Sequence, residues 1–424
     1  MQPPRRNDAA AHQAAGASGQ RSGEVPPTGA PPNAASGGSP ANAPPARSLF
    51  ADPASVARDA IAASSGAAAA PTRVEGAVSP DTAVSSGTED VDPLLEPEAL
   101  TAASHLRARF LGALLGLATG DAVAAATQFR RPGSFTPVGD MLGGGPFDLP
   151  RGAWSDDTAM TLCLADSFLE CNAFDARDQV ERYRRWQQEG YLSATGQCVG
   201  ITASSARAIA MAQWRRQAFA GSHDPAQLDP EPLSRVAAAV LFFFASSGQA
   251  IDQATEAART TCQAPAVLDA CRSLARALHA ALSGQPKATV LEMAAVAGVA
   301  FGGAAAARGD VQAAGAGTPA GASGTTEPGG TRGADVRTGT SASAALAAAV
   351  GAFGATDNFR DAILYAVNLG GDSDVVAAVC GQLAGAYYGV KAIPTSWYNG
   401  LMQKELISSY ADRLLARALL GLGA

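Results

Sequence analysis

The sequence has little lysine, no excess of positive charge and no long apolar run. Only three of the 31 basic residues are lysine, and the formal net charge is -7 at pH 7. An acidic chain offers no broad cationic surface to a phosphate backbone, so we expect no nucleic-acid partner. No stretch of about 18 apolar residues free of charge stands out, which predicts that no helix spans a membrane.

Histidine is scarce and cysteine is unpaired in the sequence. The four histidines are far apart, at His12, His105, His223 and His279. This spacing argues against a histidine-rich zinc site and gives no local support for a Ser-His-Asp triad. Any catalytic metal should therefore have oxygen ligands. The six cysteines form no CxxC pair, and we expect buried, reduced thiols of a cytoplasmic-type compartment.

Aromatic residues are nearly absent from the first hundred positions. This segment has one phenylalanine, Phe50, no Cys, Trp or Tyr, and 14 of the 26 prolines. It cannot bury enough apolar surface to offset chain entropy, so residues 1–103 are predicted to be a disordered Ala/Pro/Gly/Ser leader. A second low-complexity stretch, at about 303–343, is predicted to be a flexible insertion in one domain that covers residues 104–421.

The remaining chain has helical periodicity. Leu106, Phe110, Leu114 and Leu117 recur at helical spacing, and Gly120 after them is read as the end of that helix. Similar faces are formed by Met160, Cys163 or Leu164, and Phe168, and by Phe359, Ile363 and Val367. A fourth helix, from about 375 to 388, carries Gly381 and Gly385, which allow another helix to approach closely. Alternating β patterns of useful length are hard to find, so the predicted class is all-α, a compact orthogonal bundle of helices.

Two acidic clusters stand at predicted helix starts about 215 residues apart. Ser155, as an N-cap, followed by Asp156 and Asp157 in the first turn, accounts for the first cluster structurally. The second cluster, Asp372 and Asp374 after two glycines, has the same setting. Adjacent carboxylates repel unless a cation or a proton intervenes. We therefore predict that both clusters converge on two divalent ions, Mg²⁺ or Mn²⁺, which suit carboxylate and hydroxyl ligands.

These segments together resemble the ADP-ribosylglycohydrolases, of the dinitrogenase reductase-activating glycohydrolase type. The resemblance covers roughly residues 105–302 and 344–420, and rests on the segments 111–122, 154–158, 183–186, 190–196, 269–272, 370–374, 381–389 and 393–397. It implies an all-α fold whose central cleft holds two Mg²⁺ or Mn²⁺ ions. It also implies a metal-dependent hydrolase that removes ADP-ribose from a modified protein side chain or from an ADP-ribose-containing small molecule.

The resemblance assigns roles by position. Ser155, Asp156, Asp157, Asp372 and Asp374 would be metal ligands, with Asp156 and Asp157 also catalytic. Two further assignments leave alternatives open. Asp121 matches the family's Gly-Asp-Ala motif, and it either contacts the substrate or supports helix packing and the loops of the metal site. Gly143, Gly144 and Gly145 either bring bare backbone to the substrate phosphates or form a flexible turn.

The chain departs from the family pattern at several substrate-side positions. Val375 stands where a Thr is usual, Gln128 where a Glu is common, Gly200 where many members have Asp, and Cys262 where many have His. A longer motif is reduced to Leu233-Ser234-Arg235. The alternative function is therefore a catalytically impaired relative that binds ADP-ribose or a modified partner, and a purely structural helical module is a third hypothesis.

The leader resembles those of bacterial type III secreted effectors, which would place the protein in a host cell. An unordered extension encoded by a GC-rich genome accounts for it equally well.

Overall fold

The structure, a computed structural model, describes residues 97–295 and 341–422, and these residues are all-α. They contain no β-strand, only two isolated bridges, between Gly144 and Leu149 and between Ser222 and Cys262. The all-α prediction is confirmed. The thirteen α-helices of the described residues are α1 Pro97–Ala124, α2 Asp156–Cys171, α3 Ala176–Glu189, α4 Ala203–Arg215, α5 Val236–Phe242, α6 Ser247–Arg259, α7 Pro265–Leu282, α8 Lys287–Met293, α9 Ala342–Ala355, α10 Phe359–Val367, α11 Ser373–Tyr388, α12 Thr395–Gly400 and α13 Lys404–Leu422.

The leader and the insertion lie almost wholly outside the described residues, and both stay predictions. Helix α1 begins at Pro97, inside the segment 1–103 that was assigned to the leader. Helix α9 begins at Ala342, at the end of the segment assigned to the insertion. None of the described helices is long and apolar enough to cross a membrane.

Helices α1 and α11 pack backbone against backbone. A Cβ atom added at Gly116 would lie 2.3 Å from the carbonyl oxygen of Gly381, and one added at Gly385 would lie 1.9 Å from that of Gly112. No side chain fits at such distances, so glycine is required on both helices for this approach. The predicted close contact at Gly381 and Gly385 is confirmed, and the helix that makes it is α1.

Helix α1 is longer than the sequence indicated, which corrects the helix end expected at Gly120. The helix continues to Ala124. Gly120 serves the packing against α11, because a Cβ there would lie 2.1 Å from the carbonyl oxygen of Ala377. The extra turn carries Asp121, and the bend that follows it carries Thr127 and Gln128. The C-terminal end of α1 and the bend after it therefore place three buried polar side chains between the start of α2 and the start of α11.

The other predicted helices are present, and one expectation about the cysteines is wrong. The faces that begin at Met160 and at Phe359 lie in α2 and α10, where they are buried. All six thiols are free. Four are buried, but Cys198 is half-buried and Cys171 is exposed. Cys171 is the last residue of α2, where the helix end reaches the surface, so burial does not protect this thiol.

Candidate active site

The first acidic motif is held by an aspartate from α1. Ser155 occupies the N-cap position of α2, as predicted, but its side chain makes no capping hydrogen bond. Its Oγ donates instead to Asp121 Oδ1 at 2.7 Å, and its backbone N–H donates to the same carboxylate at 3.0 Å. Thr158 adds its N–H at 3.2 Å and its Oγ1 at 2.7 Å, both to Asp121 Oδ2. Asp121 thus satisfies four donors, which is the supporting role of the two left open by the sequence.

Asp157 is enclosed without a partner for its carboxylate. Its side chain is 0% exposed, and neither Oδ1 nor Oδ2 accepts a hydrogen bond from another described residue. Burial, followed by the nearby carboxylates of Asp156 and Asp374, raises the pKa of Asp157 well above its usual range. A buried carboxylate with two unsatisfied oxygens is costly unless a proton or a cation joins it.

Asp156 faces a cavity beside this buried acid. Burial and the charges of Glu231 and Asp374 raise its pKa well above the usual range. The backbone of Gly200 lies against its carboxylate, since a Cβ at position 200 would be 2.1 Å from Asp156 Oδ1. Gly200 also has a φ of +88°, in the region that favours glycine. The aspartate that many relatives carry here would therefore require Asp156 to move.

The second acidic motif is attached to the bend after α1 by backbone and side-chain bonds. The N–H of Phe129 donates to the carbonyl of Gly371 at 2.7 Å, and the N–H of Gly371 donates to the carbonyl of Arg130 at 2.8 Å. The hydroxyls of Thr127 and Ser373 share a hydrogen bond of 3.1 Å. These contacts fix the start of α11 next to the end of α1.

Asp374 lies in the first turn of α11 and has one oxygen engaged. The Gln128 side-chain amide donates to its Oδ2, while its buried Oδ1 accepts no hydrogen bond from the described residues. Burial, followed by the charge of Asp121, raises the pKa of Asp374 to about 7. Asp372, at the N-cap position of α11, is half-buried. Gln128, where a glutamate is common in the family, thus acts as a neutral donor to an acid.

One cavity of about 420 Å³ receives both motifs. Asp156 reaches it from the first motif, and Asp372 and Asp374 reach it from the second. Its wall is completed by the start of α4 and by the segment before the 3-10 turn Glu231–Leu233. The lining residues are Phe129, Asp156, Gly200, Thr202, Ala203, Ser204, Arg207, Ala226, Gln227, Leu228, Asp229, Pro230, Asp372, Asp374 and Val375. The structure therefore brings Asp156 of the first cluster together with Asp372 and Asp374 of the second, whereas Ser155 and Asp157 do not line the cavity.

Glu231 is a buried acid of this region that sequence reasoning missed. One of its oxygens pairs with Arg235, which is itself buried, and the other accepts from Ser205 Oγ. Burial raises the pKa of Glu231, and the Arg235 charge opposes that rise. The available signal was the i, i+4 spacing of Glu231 and Arg235. This pair ties the first turn of α4 to the wall behind Asp156.

The three glycines before the first motif form a turn and do not line the cavity. Gly143, Gly144 and Gly145 all have positive φ, at +76°, +83° and +73°. A Cβ at Gly145 would lie 1.7 Å from the carbonyl oxygen of Ala125, so this turn packs on the end of α1. Among the two alternatives for these residues, the placement favours the turn.

The donor chemistry of the site suits a hard divalent cation. Three buried carboxylate oxygens have no partner in the described residues, two on Asp157 and one on Asp374. As the side chains stand, however, no three His, Cys, Asp or Glu residues in 97–295 and 341–422 are grouped closely enough to hold a metal ion. The residue types therefore fit a cation, and the arrangement would have to close to bind it.

Besides Gly200 and Gln128, two more of the unusual substitutions lie at the cavity or behind its wall. Val375 lines the cavity and presents methyl groups where a hydroxyl is usual. The buried thiol of Cys262 lies 3.8 Å from the carbonyl oxygen of Gln227, which is itself a wall residue. Both substitutions remove a polar group from the neighbourhood of the substrate space.

Comparison with known proteins places these features in a family. Residues 101–421 match the family model described as ADP-ribosylglycohydrolase. An ADP-ribosylarginine hydrolase Tri1 of Pseudomonas putida (strain GB-1) is 34% identical over 320 residues, which are 73% of this chain and 78% of the relative. The ADP-ribosyl-[dinitrogen reductase] glycohydrolase of Rhodospirillum rubrum is 28% identical over 332 residues, which are 73% of this chain and 96% of the relative. A solved structure titled ADP-ribosylglycohydrolase-related protein complex matches with a TM-score of 0.59 and 34% identity, over 74% of this chain and 99% of that chain.

Proposed function

The chain belongs to the ADP-ribosylglycohydrolase family and is a hydrolase-like enzyme for ADP-ribosyl groups; we propose that its substrate is a protein modified on arginine. The named activity of two relatives at 34% and 32% identity supports arginine as the linked residue. The observation that carries the proposal is the meeting of Asp156, Asp372 and Asp374 at one cavity.

We propose that Mg²⁺ or Mn²⁺ binds between the two motifs, as two ions. Asp157 and Asp374 would supply their unpartnered oxygens, with Asp156, Asp372 and the hydroxyl of Ser155 completing the set. Divalent cations in such sites polarise substrate oxygens and compensate carboxylate charge. Gln128 would hold Asp374 in place by keeping one of its oxygens engaged.

The reaction that fits these residues is hydrolysis of the bond between ribose C1″ and the guanidine nitrogen. Water would attack C1″, and Asp156 would accept the proton that the water loses. The C1″–N bond would break, and the proton held by Asp156 would pass to the leaving guanidine nitrogen, which gives ADP-ribose and unmodified arginine. Asp156 suits the role of base because its carboxylate reaches the cavity in which the substrate would lie.

Arg207 is the one positively charged side chain among the residues that line the cavity. The diphosphate of ADP-ribose carries negative charge, and the acids of the two motifs would repel it. An arginine in the same lining offers charge-assisted hydrogen bonds to phosphate oxygens. We infer that Arg207 binds the diphosphate, which would direct the ribose end of the substrate towards Asp156.

A second candidate function, binding of ADP-ribose without cleavage, is favoured by Gln128. Its amide donates to Asp374 at a position where a carboxylate is common in relatives. With a glutamine in place of this carboxylate, the site would have one charged group fewer for catalysis. The cavity and Arg207 would still be present to bind ADP-ribose.

The deciding experiment incubates the full chain with a peptide that carries one ADP-ribosylarginine. We expect release of ADP-ribose, measured by mass spectrometry, with Mg²⁺ and not with EDTA, and we expect Asp157→Asn to abolish it. Calorimetric binding of ADP-ribose without any release would support the second candidate. Neither release nor binding would contradict both.

A further inference from the structure

We propose that the exposed face of α4 docks the polypeptide that carries the ADP-ribosyl group, and that it recognises acidic residues beside the modified arginine. The surface, called the α4 face below, consists of Arg207, Ala210, Met211, Trp214 and Arg215. This inference rests on the proposed function, because it names the substrate as a polypeptide with a particular charge.

The first observation is an exposed tryptophan. Trp214 is 77% exposed, whereas Trp154, Trp186 and Trp397 are at most 2% exposed. A large aromatic side chain left in water contributes nothing to the core, and tryptophan is among the residues that contribute most at protein interfaces. Its neighbour Arg215 lies with its guanidinium 5.9 Å from the Trp214 ring centroid.

The second observation is that this tryptophan is continuous with the active-site cavity. Arg207 lines the cavity, and Trp214 follows it by seven residues on the same helix. Seven residues are close to two turns, so both side chains lie on one face, about 10 Å apart along the axis. Ala210, exposed, and Met211, half-buried, lie between them. A chain whose modified arginine reaches into the cavity would pass over this face within about three or four extended residues.

The start of α4 is also fixed relative to the reaction centre. Ser205, in its first turn, donates its hydroxyl to Glu231, whose charge acts on Asp156. Thr202 caps the helix by accepting from the N–H of Ser205 at 3.2 Å. A ligand held on the α4 face would therefore be held in register with the cavity.

The third observation is the sign of the charge. Helix α4 contains Arg207 and Arg215 and no acidic residue. Both arginines are exposed, and neither forms an ion pair with another described residue. In a chain with a net charge of -7, this cationic patch complements an acidic partner.

The test compares two peptides with one central ADP-ribosylarginine, flanked by glutamates in one and by glycine and serine in the other. For Trp214→Ala we expect KM for the glutamate peptide to rise about tenfold with kcat unchanged. The variant Arg215→Glu should remove the preference for glutamate and lower the salt dependence of KM. Kinetics with free ADP-ribosylarginine, which does not reach Trp214, should not change.

Leu420→Ala is the matched control, because Leu420 is 70% exposed at the far end of α13. It should leave both peptides unaffected. An unchanged KM in Trp214→Ala, or equal losses for peptide and free ADP-ribosylarginine, overturns the proposal. So does a change from dimer to monomer in Trp214→Ala by sedimentation, since a second copy would then cover the face.

The test separates this inference from the proposed function. If the wild type cleaves no substrate, the proposed function fails, and docking is then measured alone by fluorescence anisotropy of the labelled peptides in EDTA. Tighter binding of the glutamate peptide that Trp214→Ala weakens would support docking without cleavage. Equal binding of both peptides by the wild type would overturn it.

Discussion

The starts of α2 and α11 present the same acidic pattern but are supported in different ways. At α2, the carboxylate of Asp121 accepts hydrogen bonds from four donors of Ser155 and Thr158, and Asp157 is left with two unpartnered oxygens. At α11, a neutral amide from Gln128 engages the acid itself, and Asp374 keeps one unpartnered oxygen. At α2 the supporting hydrogen bonds are made by Ser155 and Thr158, so both oxygens of Asp157 stay without a partner. At α11 the supporting hydrogen bond goes to Asp374 itself and engages one of its two oxygens.

Both supports come from the last turn of α1 and the bend after it. Asp121, Thr127 and Gln128 lie within eight positions of each other and reach different helices. The site is therefore organised around the end of one helix. Variants that remove either kind of support test the difference between the two helix starts.

The largest effect is expected when the support of α2 is removed. Asp121→Ala should lower the free energy of unfolding by about 3 to 4 kcal/mol, because it leaves several buried donors without an acceptor. Denaturation by urea in EDTA measures this change. The matched control is Asp175→Ala, which removes an exposed cap of α3 and should cost about 1 kcal/mol. Equal costs would contradict the special position of Asp121.

The next effect concerns the two acids as one metal site. Asp157→Asn should weaken Mn²⁺ binding by about two orders of magnitude, while the metal-free protein becomes no less stable because carboxylate repulsion is relieved. Asp374→Asn should do the same, and the double variant should lose little more than either single change. Calorimetric titration with Mn²⁺ measures the affinities. Additive losses would indicate that the two motifs do not share a site.

The pH dependence of the stability of the metal-free protein tests the environment of the acid at the start of α11. The pKa of Asp374 in the folded protein, about 7, lies above that of an unfolded aspartate, so the folded state binds more protons between these values. Its contribution to stability should therefore be full below the unfolded pKa and fall as pH rises towards about 7. We expect urea unfolding in EDTA to show this slope from pH 5 to pH 8. Asp374→Asn should reduce the slope, and a slope identical to wild type would refute the assignment.

The smallest effect is expected at Val375, next to the α11 acid. Val375→Thr adds a hydroxyl at the cavity wall and should tighten Mn²⁺ binding by less than about tenfold. The matched change Val376→Thr, on the adjacent buried residue outside the cavity lining, should not tighten it. An equal gain from both variants would show that the hydroxyl does not act at the site.

Local signals in the sequence predicted the elements and the meeting of the acids, and failed where distant residues decide. Periodicity and helix-start residues were sufficient for α2 and α11, because amphipathic spacing and the first-turn acids are local properties. Gly120 was misread as a helix end, since its role depends on Ala377 in another helix. Glu231 was missed because its partners Ser205 and Arg235 make it part of the site only after folding.

The glycine contact between α1 and α11 also makes the active site sensitive to events far from it. Gly385 lies eleven residues from Asp374 along a straight helix, which is about 16 Å. The contact continues along α11 from Gly385 through Gly381 to Ala377, three residues from Asp374, so a side chain at Gly385 would tilt α11 against this whole line of contact. A methyl group that wedges the crossing open by about 5° would displace the acids by more than about 1 Å, enough to disturb ligand geometry. The positions of the catalytic acids therefore also depend on the glycines of the contact between α1 and α11, and not only on the charged residues of the site.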